Sequence, residues 1–324
     1  RGSKSIDDDA DRAYGRLDRQ VKNKHGKSPL AQPATLYARC GGIFGVAGFV
    51  DVCMDAWMAE PTLNANEMVA NWHEKAQRCG FKFLVTQLIS YQCGGPQVYT
   101  GRDMAASHKH RSSSPEEWAA FIDSLHEVCD ELGLPKQETD DVAAVVASMR
   151  AGCTLAEGEE APPNPGPPPP SRCRPTSLYA RLGGCYPLAL FGDRLDGALL
   201  GDPSVVITDS DERTMPALKY LFTELCCEIA GGPEVMTAPS LHTARLQLRP
   251  LDFVKMLGCV KSAADHLDDD ADVAARHAAE LAKALHARSD LILSKPLSWR
   301  SRSAHPRLDT HQQVREAVEK IGQE

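Results

Sequence analysis

The sequence predicts an all-α protein: two tandem helical domains joined by a proline-rich linker. Three observations lead there. Apolar residues recur at spacings of three and four through eight segments, while β-branched residues are few and do not alternate. A set of landmarks occurs twice in the same order. Between the two sets lies the run EAPPNPGPPPPSRCRP, Glu160 to Pro175.

The boundaries follow in chain order. Residues 1–34 are polar and charged and form an N-terminal extension, with a short helix expected around Asp9–Val21. The first helical domain spans 35–152, with helices expected over Phe49–Trp57, Phe81–Tyr91, Trp118–Leu132 and Val142–Met149. Ser114 is the expected cap of the third, with Pro115 in its first turn and acidic residues Glu116 and Glu117 at its positive end. The linker spans 153–175. Its successive prolines lack amide donors and favour an extended polyproline conformation, so it should act as a semi-rigid spacer. The second domain spans 176–293, with helices over Leu188–Leu200, Ala217–Ile229, Leu251–Leu267 and Val273–Leu285. A C-terminal extension, 294–324, ends in a helical stretch at Thr310–Ile321.

The repeat is specific. T-L-Y-A-R-C-G-G, Thr35 to Gly42, returns as S-L-Y-A-R-L-G-G, Ser177 to Gly184. Eighteen residues after each Gly-Gly comes an acidic-Pro pair, Glu60-Pro61 and Asp202-Pro203. C-G-G-P, Cys93 to Pro96, returns as A-G-G-P, Ala230 to Pro233. The second half reads as a diverged copy of the first.

Composition narrows the function. The net charge of -8 leaves no cationic surplus for phosphate backbones, which argues against nucleic acid as a partner. No apolar run is expected to span a bilayer. Eleven cysteines, an odd number scattered through helix-like segments without a C-x-x-C pair, point to buried free thiols. The expected location is therefore intracellular and reducing: cytoplasmic or, since Arg1 rather than Met begins the chain and suggests N-terminal processing, organellar (mitochondrial).

These landmarks resemble the truncated haemoglobins, the two-over-two helical globins. The family opens with L-Y-x-x-x-G-G, turns at an acidic-Pro pair, ends its E helix in Gly-Gly and carries Y-T-G-x-x-M-x-x-x-H. The first half has Y-T-G-R-D-M-A-A-S-H, Tyr99 to His108, with Trp118 ten residues on. The resemblance covers nearly all of 35–150 and is weaker over 176–293. It implies two truncated-globin domains and a haem b cofactor, placed by preference in the first.

What the resemblance implies for residues is concrete. His108 becomes the iron ligand, because haem needs an apolar slot and one neutral imidazole. Met104, one turn before, packs on the haem face, and Tyr99 opens the motif. His110 faces elsewhere and meets a haem carboxylate or solvent. Many family members place a tyrosine where Met54 stands; methionine cannot donate a hydrogen bond to a bound gas. Gln87 is the candidate polar residue of the E helix, and Phe81, Phe83, Leu84, Val85 and Leu88 form the wall. In the second half the position of Met54 is taken by Asp196, and His242 is the candidate ligand, lying eleven rather than ten residues before Phe253. His126 is expected on a packed or partly exposed helix face, and His266, His277 and His286 on solvated faces.

Two functions follow. One is a haem protein that binds, senses or scavenges a diatomic gas, dioxygen or nitric oxide; its one conceivable reaction is dioxygenation of nitric oxide with an external reductase, and no catalytic side chain is assigned. The other is a non-enzymatic globin-fold subunit of a larger, possibly organellar assembly, meeting protein partners through the extensions and linker, with one or both haem sites lost. A thiol or metal enzyme has only the cysteine count in its favour.

Overall fold

The computed structural model describes residues 35–70, 75–165, 173–200, 214–239, 241, 248, 250–293, 316 and 320–321. Among these residues the fold is helical, and the only β pairing is an isolated bridge between Leu248 and Leu293. The helix expected around Asp9–Val21 lies outside them, as does most of the C-terminal extension.

The first half opens with α1 (Leu36–Arg39), α2 (Gly42–Ala59), α3 (Pro61–Asn64) and α4 (Glu67–Ala70). It continues with α5 (Lys75–Gln92), α6 (Met104–His108), α7 (Pro115–Glu131), α8 (Lys136–Ala147) and α9 (Arg150–Cys153). The second half holds α10 (Leu178–Arg181), α11 (Cys185–Leu200), α12 (Met215–Ile229), α13 (Pro250–Ala263) and α14 (Ala271–Ala287). The helix expected over Leu251–Leu267 stops at Ala263.

Local chemistry sets several of these ends. Thr35 caps α1 by accepting from the Ala38 amide at 3.2 Å, and Ser177 caps α10 by accepting from the Ala180 amide at 3.1 Å. Gly41 and Gly42 turn the chain from α1 into α2 at φ of 84° and 65°, and Gly183 and Gly184 do so before α11 at 87° and 97°, a region that side chains disfavour. Ser114 and Glu117 form a reciprocal capping box at the start of α7.

Each half has its own buried cluster. Val50, Cys53, Met54, Leu125, Val128 and Val142 fill the first. Phe191, Leu195, Leu221, Phe253, Leu257 and Leu281 fill the second. Of the seven buried cysteines among the described residues, all free thiols, six lie within these interiors; the seventh is Cys153. α2 is long and apolar enough, by length and composition, to cross a membrane, a test that a buried core helix also passes. Six of its residues, Val46 to Met54, are nonetheless buried inside the fold.

The halves are packed on each other through α5 against α11 and α2 against α12. Phe83 of α5, expected in a cofactor wall, instead joins the core of the second half and stacks on Tyr220 with ring centroids 5.1 Å apart. The same contacts recur in both halves. The Tyr37 amide donates to the Cys93 carbonyl at 2.9 Å, and the Tyr179 amide to the Ala230 carbonyl at 2.8 Å. Lys82 pairs with Asp51, and Lys219 with Asp193. Thr100 donates from its amide and hydroxyl to Gln87 Oε1 at 2.6 and 3.0 Å. Thr237 donates in the same way to Glu224 Oε2 at 2.9 and 2.8 Å. These groups meet at the interface, where the Thr100 hydroxyl lies 2.9 Å from Glu234 Oε1 and Gln97 donates to Thr237 at 3.1 Å.

Candidate functional site

In the first half a cavity of about 1020 Å³ opens between α2, α5, α6 and α7, at the upper end of small-molecule sites. Met54, Phe81, Val85, Leu88, Met104 and Tyr99 line it, and so does His108. The stripe arises from helical spacing: Phe81, Leu84, Val85 and Leu88 recur on one face of α5 and are only half-buried because that face borders the cavity. On α2, Met54 is followed one turn later by Trp57, whose ring stacks on Phe121 of α7 at 4.4 Å.

α6 is short and held from three sides. Asp103 caps it by accepting from the Ala106 amide at 2.9 Å. Arg111 donates to the Met68 carbonyl at 2.7 Å, and Asn66 returns the contact to the Arg111 carbonyl at 3.1 Å, tying the segment to α4. On the third side Gly152 of α9 packs so closely that an added Cβ would stand 2.6 Å from Met104 Cβ. Cys153, the first residue of the expected spacer, is buried, and Glu159 pairs with Lys109, so the early spacer packs beside this segment.

His108 is positioned by its own helix. Nδ1 lies 3.1 Å from the Met104 carbonyl and 2.9 Å from Ser107 Oγ. A carbonyl only accepts, so the Met104 contact assigns the proton to Nδ1 and the lone pair to Nε2. This backbone contact is the kind of outer partner that orients a metal-binding imidazole. Burial lowers the His108 pKa to about 4, and the charges of Arg111 and His110 act in the same direction against the one opposing contact at Met104. The ring is therefore neutral at ordinary pH.

One end of the cavity is polar. Arg102, Arg111 and His110 line it. Burial lowers the Arg111 pKa to about 10, still cationic. His110 Nδ1 is buried without a hydrogen-bond partner.

One expected residue falls elsewhere. Gln87 does not line the cavity: it sits on the opposite face of α5, 2% exposed, and its carbonyl oxygen is taken by Thr100. His242 lies outside the described residues. Leu241 is fully buried, its amide bonded to the Leu291 carbonyl at 2.7 Å, and Leu248 is buried beside Leu293. Both belong to the core of the second half with Leu218, Leu221 and Leu225. Asp196 is paired with Lys219 at 3.3 Å. His277 is buried, and His266 bonds the Pro187 carbonyl at 3.0 Å, so neither is solvated as expected; His126 is exposed. Among the described residues no group of three or more His, Cys, Asp and Glu is placed to hold a metal ion.

The site fits a flat apolar macrocycle with an iron and two carboxylates: one neutral imidazole, apolar walls and a cationic end. Sequence reasoning missed Trp57, Arg102 and Arg111, and it missed that Tyr179 and Tyr186 of the second half also line the cavity.

No family model matches the chain. It is similar to group 1 truncated hemoglobin LI410 of Chlamydomonas moewusii, 30% identical over 121 residues, which cover 36% of this chain and 67% of that protein. Among solved structures it is similar to two variants of the truncated hemoglobin of Tetrahymena pyriformis in the Fe(III) form. Each is 21% identical and is covered whole by 38% of this chain, at a TM-score of 0.33.

Proposed function

Because the chain belongs to the truncated haemoglobin family, we propose that it binds one haem b, in the cavity of the first half, and serves to bind, sense or scavenge a diatomic gas. The observation that carries this reading is His108: a neutral imidazole whose Nδ1 is committed to the Met104 carbonyl, set in an apolar cavity of haem-sized volume.

Bound haem supplies an iron centre at which dioxygen or nitric oxide can be held. The chain's own residues do the rest. His108 Nε2 would ligate the iron. Met104, Phe81 and Leu88 would pack on the ring and exclude water. Met54, Val85 and Phe81 bring no hydrogen-bond donor, and Gln87 is turned away, so the wall formed by these residues favours a gas that does not depend on a distal hydrogen bond. On this ground nitric oxide is favoured over dioxygen.

We read the recurring contacts of the two halves as a duplication of one globin unit, with 153–175 as the connection. The second unit is read as haem-free, because leucines such as Leu241 and Leu248 fill its interior.

The test is a haemin titration of the full chain, followed at the Soret band. The expected endpoint is one haem per chain, with the band lost in His108→Ala and kept in His242→Ala. Absence of a Soret band overturns the haem reading. An endpoint of two haems overturns its restriction to the first half.

A further inference from the structure

The cavity is not walled by the first half alone. At the start of α11, Gly183, Gly184, Cys185, Tyr186 and Pro187 complete its lining. Gly80 permits this approach. It is buried in α5, and an added Cβ there would run into the Tyr186 ring and stand 2.9 Å from the Tyr186 Cα. The backbone of α11 therefore rests on the one position of α5 that has no side chain.

Tyr186 brings chemistry as well as bulk. Its phenol lies in the field of Arg111 and Arg102, the two cationic residues of the cavity, and near the hydroxyl of Tyr99. Burial pushes its pKa up to about 12, so the hydroxyl keeps its proton and can donate. His110 Nδ1, buried and without a partner, lies in the same lining. Two guanidiniums, a phenol and an imidazole thus gather on the wall of a cavity that is otherwise apolar. That set matches a carboxylate: the guanidinium charges attract it, Arg111 being held in place by its donations to the Ser107 and Met68 carbonyls, and a phenol donates to one oxygen.

We propose that the second half of the chain is a wall of the haem pocket in cis, and that Tyr186 is a cofactor-contacting residue whose hydroxyl, beside Arg102 and Arg111, donates to a haem carboxylate. The proposal rests on the haem reading above. It gives the haem-free half a role: it closes the pocket of its neighbour.

The experiment uses the full chain loaded with haem and follows haem transfer to an excess of a scavenging apoprotein. Tyr186→Phe keeps the ring and its packing and removes only the hydroxyl. Haem loss is expected to accelerate about tenfold, the scale of one hydrogen bond to a charged group. Gly80→Ala, which lifts α11 from α5, is expected to accelerate it further. The same measurement with haem dimethyl ester, whose carboxylates are blocked, separates the hydroxyl's role from packing: wild type and Tyr186→Phe should then lose the ligand at one rate. If wild type holds haem and Tyr186→Phe releases it no faster, the proposal is overturned while the haem reading stands. If Tyr186→Phe is faster by the same factor with the ester, the hydroxyl does not serve a carboxylate and the proposal is again overturned. If wild type takes up no haem, the haem reading falls and this proposal falls with it.

Discussion

Replacing Glu224 by glutamine should make the protein more stable in mild alkali and leave it nearly unchanged in mild acid. Glu224 is 1% exposed and sits at the interface of the halves, where its carboxyl accepts from the Tyr220 hydroxyl at 2.7 Å and from Thr237. Burial, aided by the nearby Glu234, outweighs these contacts and raises its pKa from 4.5 to about 7. The native state thus holds a proton that the unfolded chain has released. The contribution is intact below pH 4.5 and is lost as pH rises through about 7. The span from 4.5 to about 7 corresponds to about 3 kcal/mol. Glutamine is already proven at this position of the frame: Gln87 accepts from the amide and hydroxyl of Thr100 as Glu224 does from Thr237. Urea unfolding of the full chain at pH 5 and pH 8, followed by circular dichroism, is the assay. Glu224→Gln should exceed wild type by less than about 1 kcal/mol at pH 5 and by up to about 3 kcal/mol at pH 8. A wild type and variant that lose stability in parallel from pH 5 to pH 8 would refute the reasoning.

Three further outcomes are expected. Leu241→Ala should cost about 2–5 kcal/mol in urea unfolding, the range for truncating a fully buried leucine, and leave the haem endpoint at one; a loss below about 1 kcal/mol contradicts the filled interior. Ser114→Ala, which breaks the capping box of α7, should cost about 1 kcal/mol in the same assay. Haem uptake by the apo chain should stay level as pH falls from 7.5 to about 5 and drop only toward about 4, because burial depresses the pKa of His108 and a protonated ring has no lone pair for iron. A drop centred near pH 6.5 would show an ordinary, exposed histidine.

The legible parts of this fold are the local ones. Thr35 and Ser177, the paired glycines before α2 and α11, and Ser114 act within a few residues of their targets, so their chemistry can be read along the chain. His108 and Met104 are one turn apart, and their placement on the cavity needs only helical spacing. Gln87 was not legible for a physical reason. α5 has two buried faces rather than one: Phe81, Leu84, Val85 and Leu88 border the cavity, while Phe83, Thr86, Gln87 and Ser90 face inward on the other side. A helix between a cavity and a second helical unit has an apolar pattern wide enough to admit either register, and nothing local marks the Gln87 face as an interface. Tyr186 was less legible still, because its contact with Gly80 joins positions more than a hundred residues apart.

The two halves show how one frame can support two interiors. Their caps, glycine turns, lysine–aspartate pairs and threonine contacts correspond, so the helices are set in similar positions. The difference lies in what stands between them. On α5 the stripe from Phe81 to Leu88 is half-buried, with Trp57, Trp118 and Phe121 likewise only partly covered around the cavity. On α12 the leucines at 218, 221 and 225 are fully covered, with Leu241 and Leu248 from the following segment packed into the same core. Open apolar surface of the first kind is unfavourable in water, at about 25 cal/mol per Å². It is stable in the folded chain when a ligand or a neighbouring unit covers it. The described leucines of the second half pack against one another, and its α10–α11 turn lines the cavity of the first half. A unit whose core is built from its own side chains holds its shape by itself, and so supplies the cavity with a wall that does not depend on what the cavity holds.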